Sequence, residues 1–189
     1  MIILLGFPKS GTSSFHKLFN DLGYKSYHWK KDEKYIGKMI ETNKQTGKLL
    51  LTDFLETDVI TQMDCCMDEN ICYWPQIVDY KQLIKENSNA IYILNKRNPN
   101  DILLSFKKWG NPSLYDRIFK YNPEFFKEIS DEGFIEFVEN FYTEIENYFE
   151  NLNLNFITFD IYDDNLDKLK KYIDIKDFKE LPWENKNNS

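Results

Sequence analysis

The sequence predicts a three-layer α/β domain built on a parallel sheet of four or five strands, flanked by helices. Strand-length apolar runs at residues 2–5, 48–53, 90–95 and 154–159 alternate with segments whose apolar residues recur at helical spacing. Parallel strands need crossover connections of about a dozen residues or more, and the segments between these runs are long enough to supply them. With 189 residues, 42% hydrophobic and 16% aromatic, the chain can bury a sizeable core as one domain over residues 1–189.

The first run, Ile2 to Leu5, is apolar throughout, as a strand covered on both faces should be. The helix after it carries Phe15, Leu18, Phe19 and Leu22 on one face and ends at Gly23. Residues 24–29 predict a short strand, and residues 32–43 a helix with Ile36, Met39 and Ile40 on one side. Residues 48–53 then read as a buried strand ending in a carboxylate, Asp53. Residues 56–73 have no clear period and predict a loop or short helices. Residues 75–87 predict a helix carrying Ile77, Tyr80 and Ile84, followed by the strand at 90–95. Asn98 then caps a helix that has Pro99 first and Asp101 in the acidic third position. Residues 113–128, broken by Pro123, predict two short helices, and residues 132–151 one long helix with a core-facing aromatic stripe. A last strand at 154–159 and a last helix at 163–174 complete the chain, with a frayed polar tail over 182–189. No internal repeat or linker stands out.

A net charge of −7 argues against a broad nucleic-acid or anionic-membrane surface, so any anion site has to be local. No segment approaches the ~18 apolar residues of a membrane span, and no secretory signal is evident. Together with three cysteines, an odd number, this points to a reduced, cytoplasmic protein without a disulfide framework. Cys65, Cys66 and Cys72 have no histidine near them, so no metal site is expected.

The chemistry is concentrated at the first strand end. Gly6-Phe7-Pro8-Lys9-Ser10-Gly11-Thr12-Ser13 places a glycine-bounded loop and a lysine ahead of a helix N-terminus, where unpaired N–H groups and the positive dipole end favour an anion. The spacing of Gly6 and Gly11 is that of a nucleotide-binding P-loop, with Ser13 at the usual hydroxyl position. The position after the second glycine is Thr12, however, and the lysine, Lys9, lies inside the loop. The second block is Arg97 directly after a strand, with Ser105 two turns into the next helix.

The order Phe7-Pro8-Lys9-Ser10-Gly11-Thr12 resembles the signature of sulfotransferases, and Arg97 with Ser105 is similar to that family's 3′-phosphate pair. Tyr73-Trp74-Pro75, Phe141-Tyr142 and Pro182-Trp183-Glu184-Asn185-Lys186 follow in an order similar to a short, single-domain branch of the family. The resemblance implies a P-loop NTPase-like fold and 3′-phosphoadenosine 5′-phosphosulfate as co-substrate. It assigns Pro8, Lys9, Ser10, Gly11, Thr12 and Ser13 to the phosphosulfate, and Arg97 and Ser105 to the 3′-phosphate. Cytosolic members carry a histidine base after the strand equivalent to residues 48–53, where this chain has Asp53. They also end in an Arg-Lys-Gly segment that is missing here, with Lys186 as a partial substitute.

The chemistry expected is sulfuryl transfer to a hydroxyl or amine of a small molecule or glycan, with Lys9 stabilising the leaving phosphate and Asp53 taking the proton. His28, Glu56 and Asp58 are the alternative bases, and His16 reads as a helix-surface residue. No divalent metal is required. The other readings are a P-loop nucleotide or small-molecule kinase using ATP and Mg²⁺, with Asp53 on the metal side, and a degenerate nucleotide-binding protein. The acceptor and the oligomeric state stay open.

Overall fold

A computed structural model describes residues 1–66, 71–175 and 178–182. Strand β1 (Ile2–Leu4) leads through the glycine loop into helix α1 (Thr12–Asp21). Strand β2 (Ser26–His28) follows, then a hairpin of β3 (Lys30–Lys31) and β4 (Lys34–Tyr35), then helix α2 (Ile36–Gln45). Strand β5 (Val59–Gln62) precedes helices α3 (Pro75–Val78) and α4 (Tyr80–Glu86). Strand β6 (Ile91–Lys96), helices α5 (Pro99–Lys108), α6 (Leu114–Tyr121) and α7 (Asp131–Glu150), and strand β7 (Asn155–Asp160) complete the fold.

The strands form one sheet in the order β4-β3-β2-β5-β1-β6-β7. β2, β5, β1, β6 and β7 run parallel, and the hairpin β3–β4 extends the edge antiparallel. The parallel sheet therefore has five strands and is flanked by helices, as expected. Because side chains alternate across a strand, Ile3 and Leu5 enter one core with α2, α5 and α7, while Ile2 and Leu4 enter another with α1. β1 lies at the centre, between β5 and β6. The chain leaves β1 toward β2 on one side and returns across it to β6 on the other, so the β1 end is the switch point where an open α/β sheet leaves a crevice.

Several elements differ from the sequence reading. Residues 48–53 are not a strand: they form turns entering a 3₁₀ helix (Thr52–Phe54), and the sheet takes Val59–Gln62 instead. Val59, Ile60 and Thr61 are β-branched and buried, whereas Lys48 and Leu49 are exposed, so the pleated slot goes to the later run. Asp32 and Glu33 belong to a hairpin turn with φ of 48° and 62°, which delays α2 to Ile36. The helix expected at 75–87 breaks at Asp79, whose carboxylate binds Lys44 Nζ at 2.5 Å and the Tyr73 hydroxyl. The helix expected at 163–174 is reduced to a 3₁₀ turn (Leu166–Leu169), although Leu166, Leu169 and Ile173 are buried.

Cys66 and Cys72 are joined by a disulfide, against the expectation of none. Cys65 and Tyr73 pair across an antiparallel bridge, and that chain reversal, invisible in the spacing, sets Cys66 opposite Cys72. No helix among the described residues is long and apolar enough to cross a membrane.

Gly37 lets α2 close on the segment after β5. A Cβ there would stand 2.7 Å from both the Met63 carbonyl oxygen and the Cys65 nitrogen. Since backbone atoms cannot move aside as a side chain can, Gly37→Ala is expected to lower unfolding stability by about 1–3 kcal/mol, measured by urea denaturation.

Candidate functional site

The glycine loop is held from below by one buried amide. Asn95, in β6 and fully enclosed, accepts from the Gly6 N–H through Oδ1 at 2.9 Å. Its Nδ2 donates to the Ser10 carbonyl at 2.9 Å and to the Ser10 hydroxyl at 2.6 Å. Gly6 is required for this contact, because a Cβ there would run into the Asn95 carbonyl and side chain. Ser10 turns inward as well, with its hydroxyl on the Phe7 carbonyl at 2.5 Å and its N–H on the same oxygen at 3.2 Å. Ser10 therefore braces the loop and does not line the cavity, in contrast to the ligand-facing role expected for it.

With its base fixed, the loop presents Lys9 in a left-handed conformation, φ 69°, which is uncommon for a side chain larger than glycine. Gly11, φ 82°, then starts α1. A cavity of about 500 Å³ opens above them, and Lys9, Ser13, Asp64, Arg97, Ser105 and Trp109 all line it. Pro8, Gly11 and Thr12 are also on its wall. The loop and the Arg97–Ser105 block, 88 residues apart at Lys9 and Arg97, are thus brought to one site. Arg97 Nη1 donates to the Lys9 carbonyl at 2.7 Å and ties the two blocks together.

Asp53 is absent from this cavity. Its side chain accepts from Asn43 Nδ2 at 2.9 Å, and its carbonyl takes the Lys31 ammonium, so it closes a turn beneath the hairpin. Glu56 is exposed beside Lys25, and Asp58 accepts from the Lys25 N–H at 2.8 Å; neither lines the cavity. The carboxylate that does is Asp64, two residues beyond β5. The cavity carboxylate thus follows a strand end, as expected of Asp53, but the strand is β5 and not residues 48–53.

Asp64 is buried, and its Oδ1 has no hydrogen-bond partner among the described residues. Burial pushes its pKa up to about 7, against the opposing pull of a Gln62 hydrogen bond and the Lys9 charge. Burial likewise lowers Lys9 to about 8, with Asp64 opposing the shift and Arg97 adding to it. The Lys9 ammonium rests 4.5 Å from the Trp109 ring centroid, a cation–π contact in the half-dry site.

His28 also lines the cavity, and its hydrogen bonds fix its state. Thr12 donates its single hydroxyl hydrogen to Gln62 Oε1 at 2.7 Å, so its oxygen is left to accept from His28 Nε2 at 3.2 Å. That network assigns the proton to Nε2. Burial first, then the neighbouring His16 and Lys9, lower the His28 pKa to about 4, which leaves the ring neutral and its Nε2 committed as a donor. His16 bonds Ser26 Oγ at 2.9 Å on the far side and is half-buried. Lys186 lies outside the described residues.

A sulfotransferase domain model matches residues 1–184. The chain belongs to the sulfotransferase family. Among curated proteins no significant match is found. The sulfotransferase match spans the glycine loop, the Asp64 segment and the Arg97–Ser105 block in one stretch.

Sequence reasoning missed Asn95, Gln62 and Asp64. Asn95 left a signal, as the amide that closes the otherwise apolar run at residues 90–94. Asp64 left a weaker one, following the β-branched run at 59–61. Asn95→Ala would leave the Gly6 N–H and the Ser10 carbonyl unpaired in a dry site. The expected result is a loss of about 1–3 kcal/mol in chemical denaturation, with weaker anion binding from a loosened loop.

Proposed function

We propose that the protein transfers a sulfuryl group from 3′-phosphoadenosine 5′-phosphosulfate to a hydroxyl or amine, with Asp64 in place of Asp53 as proton acceptor. The observation that carries this reading is the convergence of Lys9, Arg97, Ser105 and Asp64 on a single cavity. The donor set suits the nucleotide: Lys9, the Ser13 hydroxyl and the first N–H groups of α1 for the 5′-phosphosulfate, and Arg97 with Ser105 for the 3′-phosphate. Each can donate to or pair with an anion, and the cavity is large enough for a nucleotide.

Reaction requires the acceptor oxygen or nitrogen to attack sulfur in line with the bond to the departing phosphate oxygen. As the new bond to sulfur forms and the old one breaks, charge grows on that phosphate oxygen, where the Lys9 ammonium and the α1 N-terminus stabilise it. The acceptor's proton passes to the free Oδ1 of Asp64, whose raised pKa suits general-base work near neutrality. Trp29 and Trp109, with ring centroids 6.2 Å apart, wall the same cavity and offer apolar faces to a small-molecule or glycan acceptor. A cytoplasmic setting belongs to the same proposal, and there the Cys66–Cys72 bond would meet reducing conditions.

Calorimetric titration with adenosine 3′,5′-bisphosphate, compared with ATP plus Mg²⁺, tests the nucleotide. Binding of ATP alone, and only with metal, would overturn the reading in favour of a kinase. Lys9→Ala is expected to lower turnover by about 10²–10³-fold with the fold intact, and Asp64→Asn by about 10²–10⁴-fold. Sulfate transfer across a panel of phenols, alcohols, amines and sugars measures both.

The pH profile follows from the same two groups. Asp64 must be ionised and Lys9 protonated, so kcat/KM should rise as pH passes about 7 and fall above about 8. The two limbs belong to the coupled pair. Because Asp64 is raised in the folded state, it costs stability progressively from about pH 4 up to about 7 and fully above that. Asp64→Asn should therefore raise the unfolding midpoint at pH 8, with the gain shrinking toward pH 4.

A further inference from the structure

Arg97 is oriented by a relay through Tyr162, which also lines the cavity, to Asp101, which does not. Its Nε–H donates to the Tyr162 hydroxyl oxygen at 3.0 Å, and its guanidinium carbon stands 5.7 Å from the Tyr162 ring centroid. The hydroxyl's own hydrogen goes to Asp101 Oδ2 at 2.8 Å. A phenol has a single hydrogen, so committing it to Asp101 leaves the oxygen as an acceptor aimed at Arg97. Burial and the Asp101 bond both raise the Tyr162 pKa, which keeps that hydrogen in place.

The relay spans three parts of the chain. Asp101 sits in the first turn of α5, Arg97 just past β6, and Tyr162 two residues beyond β7. With Nε on Tyr162 and Nη1 on the Lys9 carbonyl, two edges of the guanidinium are pinned while Arg97 still lines the cavity. A direct Asp101–Arg97 pair would fix the guanidinium too, but it would also quench the charge that an anion needs. Inserting the neutral hydroxyl separates the two effects: orientation is kept and the cationic edge stays available.

We infer that Tyr162 is a positioning residue for 3′-phosphate recognition, holding Arg97 through a hydroxyl that Asp101 itself orients. The inference rests on the reading of Arg97 as the 3′-phosphate ligand.

The test compares two probes on the full-length protein, adenosine 3′,5′-bisphosphate and adenosine 5′-monophosphate, which lacks the 3′-phosphate. Tyr162→Phe keeps the ring and removes only the hydroxyl. It should weaken the bisphosphate about tenfold, roughly the value of one charge-assisted hydrogen bond, and the monophosphate by less than about twofold. Asp101→Ala should act in the same direction, and the double variant should lose no more than Tyr162→Phe alone, since both changes cut one relay. Equal weakening of both probes, or an unchanged bisphosphate affinity, would overturn the inference and leave the assignment of Arg97 standing. A wild-type protein that binds the bisphosphate no tighter than the monophosphate would overturn the assignment of Arg97, and this inference with it.

Discussion

The whole site depends on one buried amide. Asn95 satisfies the Gly6 N–H and both oxygens of Ser10 at once, and in doing so it locks the glycine loop against the neighbouring strand. A buried amide is tolerable only when its hydrogen-bonding capacity is used, and here three polar groups of the loop are its partners. The fixed base is what lets Lys9 stand in a left-handed conformation, turned outward over the cavity. Strain of that kind persists only where the surroundings over-determine it.

Charge in the cavity is arranged around the same support. Lys9 and Asp64 are both taken out of water, and each is disfavoured in its charged form by burial and favoured by the other. Burial wins in both cases, and the result is a carboxyl and an ammonium group with pKa values close to neutrality and to each other. Arg97 is anchored at two edges, to the loop carbonyl that follows from Lys9's conformation and to Tyr162. His28, by contrast, is spent on organising Thr12, and Thr12 on Gln62. Most polar side chains near the cavity therefore support others, and few are left to meet a ligand.

The parallel sheet and its flanking helices were legible because strand and helix periods differ and the runs here are pure. Ile2 to Leu5 is apolar without interruption, and the face of α7 repeats without a break. Where two runs competed for one strand slot the reading failed. In residues 48–53 Leu50 and Leu51 are buried from turns while Leu49 is exposed, and Val59 to Thr61 are β-branched and fit the pleat. That single error put the cavity carboxylate at Asp53, whereas Asp64 is the one that lines the cavity. Helix ends failed for a related reason, since Asp32, Glu33 and Asp79 found partners or turn conformations that propensity does not register.

By itself the sequence determined the α/β class, the glycine loop with its internal lysine, and the Arg97–Ser105 block, because each is written in contiguous residues with local physical consequences. Only the tertiary structure decided which carboxylate faces the lysine, that Ser10 points inward, that Cys66 meets Cys72, and that Tyr162 reaches Arg97. Those pairings join residues that lie apart in the chain or on opposite sides of a reversal, and no local period encodes them. The cavity pairings follow from strand order, which brings the ends of β1, β5, β6 and β7 to one edge of the sheet, and the disulfide follows from the Cys65–Tyr73 reversal.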